Sequence, residues 1–87
     1  MSSFLHVSSV CAIGGYRLAV RFTDGSERVV DLEDELHGEV FEPLRDETFF
    51  AQAFVDEETR TVAWPNGADL APEFLHEIGQ PVEKATA

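Results

Sequence analysis

Twelve consecutive residues gather most of the side chains in this 87-residue chain that are equipped to recognise something: Trp64-Pro65-Asn66-Gly67-Ala68-Asp69-Leu70-Ala71-Pro72-Glu73-Phe74-Leu75. An indole can stack on a flat ligand, and an amide and a carboxylate beside a turn can hydrogen-bond it. Trp64, Asn66 and Asp69 are therefore candidate binding residues. Each has a structural reading as well. Trp64 suits a core anchor with its N–H bonded, and Asp69 suits an acceptor for backbone N–H groups at the turn or at the helix start. Arg17 and Arg21, two pleats apart on the outer face of a strand, form the one compact basic patch that the sequence offers. Such a patch fits a homodimer contact or the docking of an acidic stretch, or else both arginines pair with acids of their own chain.

Catalytic chemistry finds no matching set. His6, His37 and His76 are scattered, and no Gly-x-Ser-x-Gly, His-Glu-x-x-His, Cys-x-x-Cys or phosphate-cradling glycine loop is present. The expectation is a protein that is not an enzyme, with no catalytic residue, no metal and no cofactor. The single Cys11 has no intrachain disulfide partner, and among Val10, Ala12 and Ile13 it reads as a small buried hydrophobe.

Charge narrows the partners. Seventeen acids against six bases give a formal net charge of −11. That opposes direct nucleic-acid binding, whose affinity comes largely from Lys and Arg releasing counterions from phosphates. The acids cluster at Glu33-Asp34-Glu35, at Glu39 and Glu42, at Asp46-Glu47 and at Asp56-Glu57-Glu58, all read as loop or turn positions. They serve solubility, the docking of a basic partner or metal binding, although they lack the regular spacing of an EF-hand calcium loop.

The elements that must position these residues follow from periodicity. Residues 5 to 13 have no helical period, are rich in apolar side chains and stop at Gly14-Gly15, which marks a first strand. Tyr16, Leu18, Val20 and Phe22 then alternate with Arg17, Ala19, Arg21 and Thr23, as a half-buried strand requires. Val30 and Leu32 form an even-numbered apolar set on the next strand, and only an odd-length loop sets even opposite even. A three-residue Thr23-Asp24-Gly25 loop with Gly25 in a left-handed bulge is therefore predicted, pairing Leu18 with Val30 and Tyr16 with Leu32.

Beyond Leu32, at most a helical turn fits Glu33 to His37, after which Val40, Phe41 and Leu44 tuck towards the core around Pro43. Asp46 suits an N-cap, so a short helix begins at Glu47 and ends by Ala53. A second hairpin runs from Phe54-Val55 through an acidic turn to Arg60–Trp64. Pro65 and Asn66-Gly67 then stop the strand, and Pro72 starts a helix that ends near Ile78, before Gly79 and Pro81. The whole is an α+β fold: a small, mixed or mostly antiparallel sheet of four to five strands in two hairpins, with two short helices. Residues 1 to 80 form one domain and residues 81 to 87 a frayed tail. A chain of this size buries only about 60–65% of its unfolded surface, so the core is single and modest.

The signature stretch resembles the end of a bacterial domain-of-unknown-function family, number 2442, whose members close with Trp-Pro-Asn-Gly-x-Asp-Leu-x-Pro-Glu. Further pieces match in order: Tyr16–Phe22 before Asp24-Gly25, Val30-Asp31-Leu32, Val40–Leu44 and Phe49-Phe50, so the likeness covers roughly residues 7 to 77. Ala71 departs from it, standing where members often carry a helix-capping residue, which leaves Asp69 or a water to satisfy that end. The resemblance implies a small α+β domain. Such domains stand alone, join a helix-turn-helix segment, or are encoded beside a small partner in a toxin–antitoxin-like arrangement, with no established chemistry.

Three functions of different class follow. The leading expectation is a non-catalytic protein-binding module, an antitoxin-like or adaptor partner of a neighbouring protein. The alternative is a ligand-sensing regulatory domain, with a pocket near Trp64, Asn66 and Asp69, of the kind coupled in relatives to a helix-turn-helix segment that is absent here. An enzyme is the third. With no long apolar run and no basic signal-peptide start, the expected location is the cytoplasm, with a protein partner or a second copy and no membrane.

Overall fold

The alternation of Leu18, Val20 and Phe22 with Arg17, Ala19 and Arg21 makes strand β2 (Arg17–Phe22) a divider between core and solvent. A computed structural model describes residues 5 to 81 and arranges the chain around that strand. β1 (Val7–Gly14) and β3 (Glu27–Asp31) flank β2, and β6 (Gln80–Pro81) adds to β3, giving a sheet in the order β1-β2-β3-β6. A second sheet pairs β4 (Phe54–Val55) with β5 (Val62–Ala63). Every described strand pair is antiparallel. Two 3₁₀ turns (Glu33–Glu35 and Glu42–Arg45) lead into helix α1 (Glu47–Phe50), and helix α2 (Pro72–Ile78) precedes β6.

The predicted register of the β2–β3 hairpin holds. Leu18 lies opposite Val30, the Phe22 N–H reaches the Ser26 carbonyl at 2.9 Å, and Gly25 takes φ +90°. The odd-length loop keeps the apolar sets of both strands on one face, so Leu18, Val20, Phe22, Val30 and Leu32 are all buried while Arg17, Arg21 and Asp31 are exposed. One hairpin escaped the sequence reading: β1 pairs with β2 through a Gly15-Tyr16 turn closed by Gly14 opposite Arg17, and both Gly14 and Gly15 have positive φ.

The buried set continues through Leu36, Leu44, Phe50, Val62, Trp64, Ala68 and Leu75, forming one cluster. Burying side chains such as Phe22 or Phe50 contributes about 1.5–3 kcal/mol each. Helix α1 starts where expected, since Asp46 accepts the Thr48 N–H at 2.9 Å, but it ends at Phe50 after one turn. In the linking segment Leu44 is buried, whereas Val40 is 48% exposed, contrary to the expected inward tuck.

Helix α2 spans Pro72 to Ile78 as predicted. Its terminator is not a left-handed glycine: Gly79 has φ −71° and is buried, and a Cβ there would lie 2.7 Å from the Arg28 Cβ. Close approach, rather than positive φ, requires glycine at this position. Pro81, assigned to the tail from sequence, is instead opposite Arg28 in β6, and the rest of that expected tail lies outside the described residues.

Candidate functional site

The signature stretch is built on a second copy of the loop that closes β2 and β3. The Trp64 N–H donates to the Ala68 carbonyl at 2.9 Å, the Gly67 N–H to the Trp64 carbonyl at 2.9 Å, and Gly67 takes φ +93°. In the first loop, the Ser26 N–H donates to the Asp24 carboxylate at 2.9 Å. In the second, the Ala68 N–H donates to the Asn66 side-chain carbonyl at 3.1 Å. Three residues with Asp or Asn in the middle and Gly last define both bends. The chain therefore does not simply stop after Trp64. It reverses, bridging Asp69 to Ala63 and bonding the Leu70 N–H to the Val62 carbonyl at 3.2 Å.

This places the three candidates of the signature in different environments. Trp64 is 1% exposed, its indole N–H donates to the Phe50 carbonyl at 2.9 Å, and its ring stacks on Phe50 with centroids 5.6 Å apart. The ring anchors the core and presents no face to a ligand. Asn66 is exposed and works twice, accepting from Ala68 and donating to the Val40 carbonyl at 2.9 Å, so it ties the loop to the linking segment. Asp69 is exposed, and among the described residues its carboxylate makes no hydrogen bond. The expected acceptor role belongs to Asn66. Ala71 stands at the N-cap of helix α2 and offers no side-chain cap, and Pro72 removes one of the N–H groups that would need one.

On the other side of the sheet, Arg17 and Arg21 share the face turned away from the core. Arg17 sits opposite Asp31 and Arg21 opposite Glu27, and the Arg21 Nε donates to Glu27 at 3.0 Å with Nη2 reaching the same oxygen. Arg21 is thus neutralised within its own chain. Between these pairs, Ala19 sits opposite Val29 and Cys11 opposite Ala19. Cys11 is exposed, not buried as its neighbours suggested, because its parity matches the outward residues of β2. Ser9, Cys11, Ala19, Arg21 and Glu27 line a shallow concavity of about 190 Å³. A larger hollow of about 370 Å³ lies beside Val7, Val55, Asp56, Glu57 and Arg60. Neither includes Trp64, Asn66 or Asp69.

Among the described residues, the Asp24 carboxylate is held below its ordinary pKa. The Ser26 hydroxyl and N–H both donate to it and lower its pKa, and His76, 3.7 Å away, adds attraction when it carries charge. His76 itself packs edge-on against the Phe22 ring, centroids 5.0 Å apart. Among the described residues, no group of three or more His, Cys, Asp or Glu side chains is placed to hold a metal ion. No described helix is long and apolar enough to cross a membrane.

From residue 33 to residue 47, seven carboxylates (Glu33, Asp34, Glu35, Glu39, Glu42, Asp46, Glu47) face solvent against one base, Arg45. The Arg45 guanidinium is turned to the Leu36 carbonyl at 3.4 Å. None of the seven is in an ion pair with another described residue. Sequence clustering signalled these acids; their lack of compensation needed the structure.

Fold and surface define a small antiparallel α+β domain with a largely uncompensated acidic rim. The chain belongs to the family described as "Protein of unknown function (DUF2442)", whose model matches residues 7–80. Neither the curated proteins nor the solved structures contain a match to the chain.

Proposed function

We propose that this chain is a non-catalytic protein-binding module of the cytoplasm, an antitoxin-like or adaptor partner of a neighbouring protein whose docking segment is basic. The observation that carries the reading is the acidic rim from Glu33 to Glu47, where seven exposed carboxylates face one arginine already turned to a backbone carbonyl. Charge of one sign left unpaired on a surface raises encounter rates with an oppositely charged partner and sets its orientation. Asn66 supports the rim mechanically, since its bond to Val40 fixes the linking segment to the signature loop.

The sensing alternative places its pocket at Trp64, and the burial of that ring weighs against it. Affinity capture from native extract tests both. The reading expects a basic protein retained at low salt and released as salt is raised, and no stabilisation by small metabolites. Capture of nothing, together with a metabolite that raises the melting temperature, would favour sensing.

A further inference from the structure

The outward face of the β1-β2-β3-β6 sheet carries a charge pattern that is complementary to itself. β2 presents Arg17 and Arg21, and β3 presents Asp31 and Glu27 directly opposite them. Between the two pairs runs a row of small side chains and one amide: Cys11, Ala19, Val29 and Gln80, which the strand registers set side by side. Consider a two-fold axis lying parallel to the strands between β2 and β3. It turns a second copy face to face and lays its β3 over β2. Because the paired residues sit at equal heights, Arg21 then meets the partner's Glu27, Arg17 meets the partner's Asp31, and Ala19 meets the partner's Val29.

We propose that the chain forms a homodimer by stacking this sheet face on that of a second copy in the register just described. The net charge chooses the occupant. Two chains of −11 repel over most of their surfaces. On this face the two cations of β2 balance the two anions of β3, so two copies approach here without that penalty and gain alternating pairs. The row of Cys11, Ala19 and Val29 lets the sheets approach to the ordinary stacking distance of about 10 Å.

The patch is small. Four strands span about 19 Å and five residues about 17 Å, which is less than a standard stable interface supplies. The dimer is therefore weak, forming between roughly 10 μM and 1 mM. This self-association needs no other partner and stands apart from the acidic rim, which lies on a different segment.

Sedimentation of the purified full chain tests it. The weight-average mass should rise towards two chains over that concentration range. The double variant Arg17→Glu, Arg21→Glu should remain monomeric, because the stacked register then sets acid on acid. Adding Glu27→Arg and Asp31→Arg should restore the dimer, because the pattern is self-complementary again; melting curves verify that each variant is folded. A second arm reads the register itself. Cys11 is one and a half strand spacings from the axis, so two copies of it stand about 14 Å apart sideways, too far for a disulfide. Gln80 faces the partner's Cys11 across the roughly 10 Å between the stacked sheets, so Gln80→Cys should give a dimer with a short bismaleimide cross-linker of about that reach, which the parent chain does not. A chain that stays monomeric at 1 mM, a double variant that dimerises as strongly as the parent, or cross-linking of the parent through Cys11 alone would each overturn the proposal.

Discussion

Replacing Gly67 isolates the backbone of the signature loop. Its φ is +93°, and a Cβ built there meets nothing within 4 Å, so a substitution introduces strain without a clash. Side chains rarely adopt this conformation, and holding one there costs about 1–3 kcal/mol. Gly67→Val belongs at the upper end because branching at Cβ crowds the carbonyl, Gly67→Ala in the middle, and Gly67→Asn lowest because Asn tolerates positive φ. Each kcal/mol moves the melting midpoint by about 4–8 °C in a domain of this size. Gly79→Ala makes the contrast: its φ of −71° suits any residue, but the new Cβ lies 2.7 Å from the Arg28 Cβ and 2.9 Å from the Leu75 carbonyl, so it destabilises by collision. Thermal and urea melts of all four variants by circular dichroism decide. An unchanged midpoint for Gly67→Val, or Asn costing as much as Val, would refute the strain argument.

Trp64→Phe removes the 2.9 Å indole donor to the Phe50 carbonyl, which keeps only the longer Ala53 N–H bond at 3.3 Å, and it removes buried ring volume, so urea titration should record a loss of about 1–3 kcal/mol; a loss under about 0.5 kcal/mol would contradict the anchor role. Asp24 has a folded pKa held down by Ser26, so its contribution to stability is present above the unfolded value near 3.9 and fades as pH falls through the folded value. The melting difference between the parent and Asp24→Asn should accordingly shrink below about pH 4, and a constant difference from pH 7 to pH 3 would argue against the Ser26 bonds. The Arg21–Glu27 pair, with side chains 60% and 39% exposed, should show a coupling below about 1 kcal/mol in a double-mutant cycle; a larger value would mean the pair is less hydrated than its exposure indicates.

The parts of the fold readable in sequence are those where period and loop parity leave one solution. Leu18, Val20, Phe22, Val30 and Leu32 had to share a face, and only a three-residue loop allowed it. Asp46 and Pro72 marked their helix starts through local chemistry that needs no tertiary information. Cys11 was misread because apolar neighbours say nothing about parity across a strand, and only its pairing with Ala19 turns it outward. The signature loop was half legible. Asn66-Gly67 announced a bend, but the return of Asp69 to Ala63 is a long-range pairing, and Asn66 took the acceptor role because it occupies the same loop position as Asp24. Arg17 and Arg21 were placed on the outer face, while the neutralisation of Arg21 by Glu27 depended on register.

The acidic rim is the feature on which the proposed function stands, and one binding measurement tests it directly. The captured partner is titrated against the parent chain and against the variant Glu33→Gln, Asp34→Asn, Glu35→Gln at low and at moderate salt. Removing three exposed charges leaves the core untouched, so both chains should melt alike. The account predicts an affinity lowered about ten-fold or more at low salt, with the gap narrowing as salt screens the rim. Equal affinity of the two chains at low salt would contradict it.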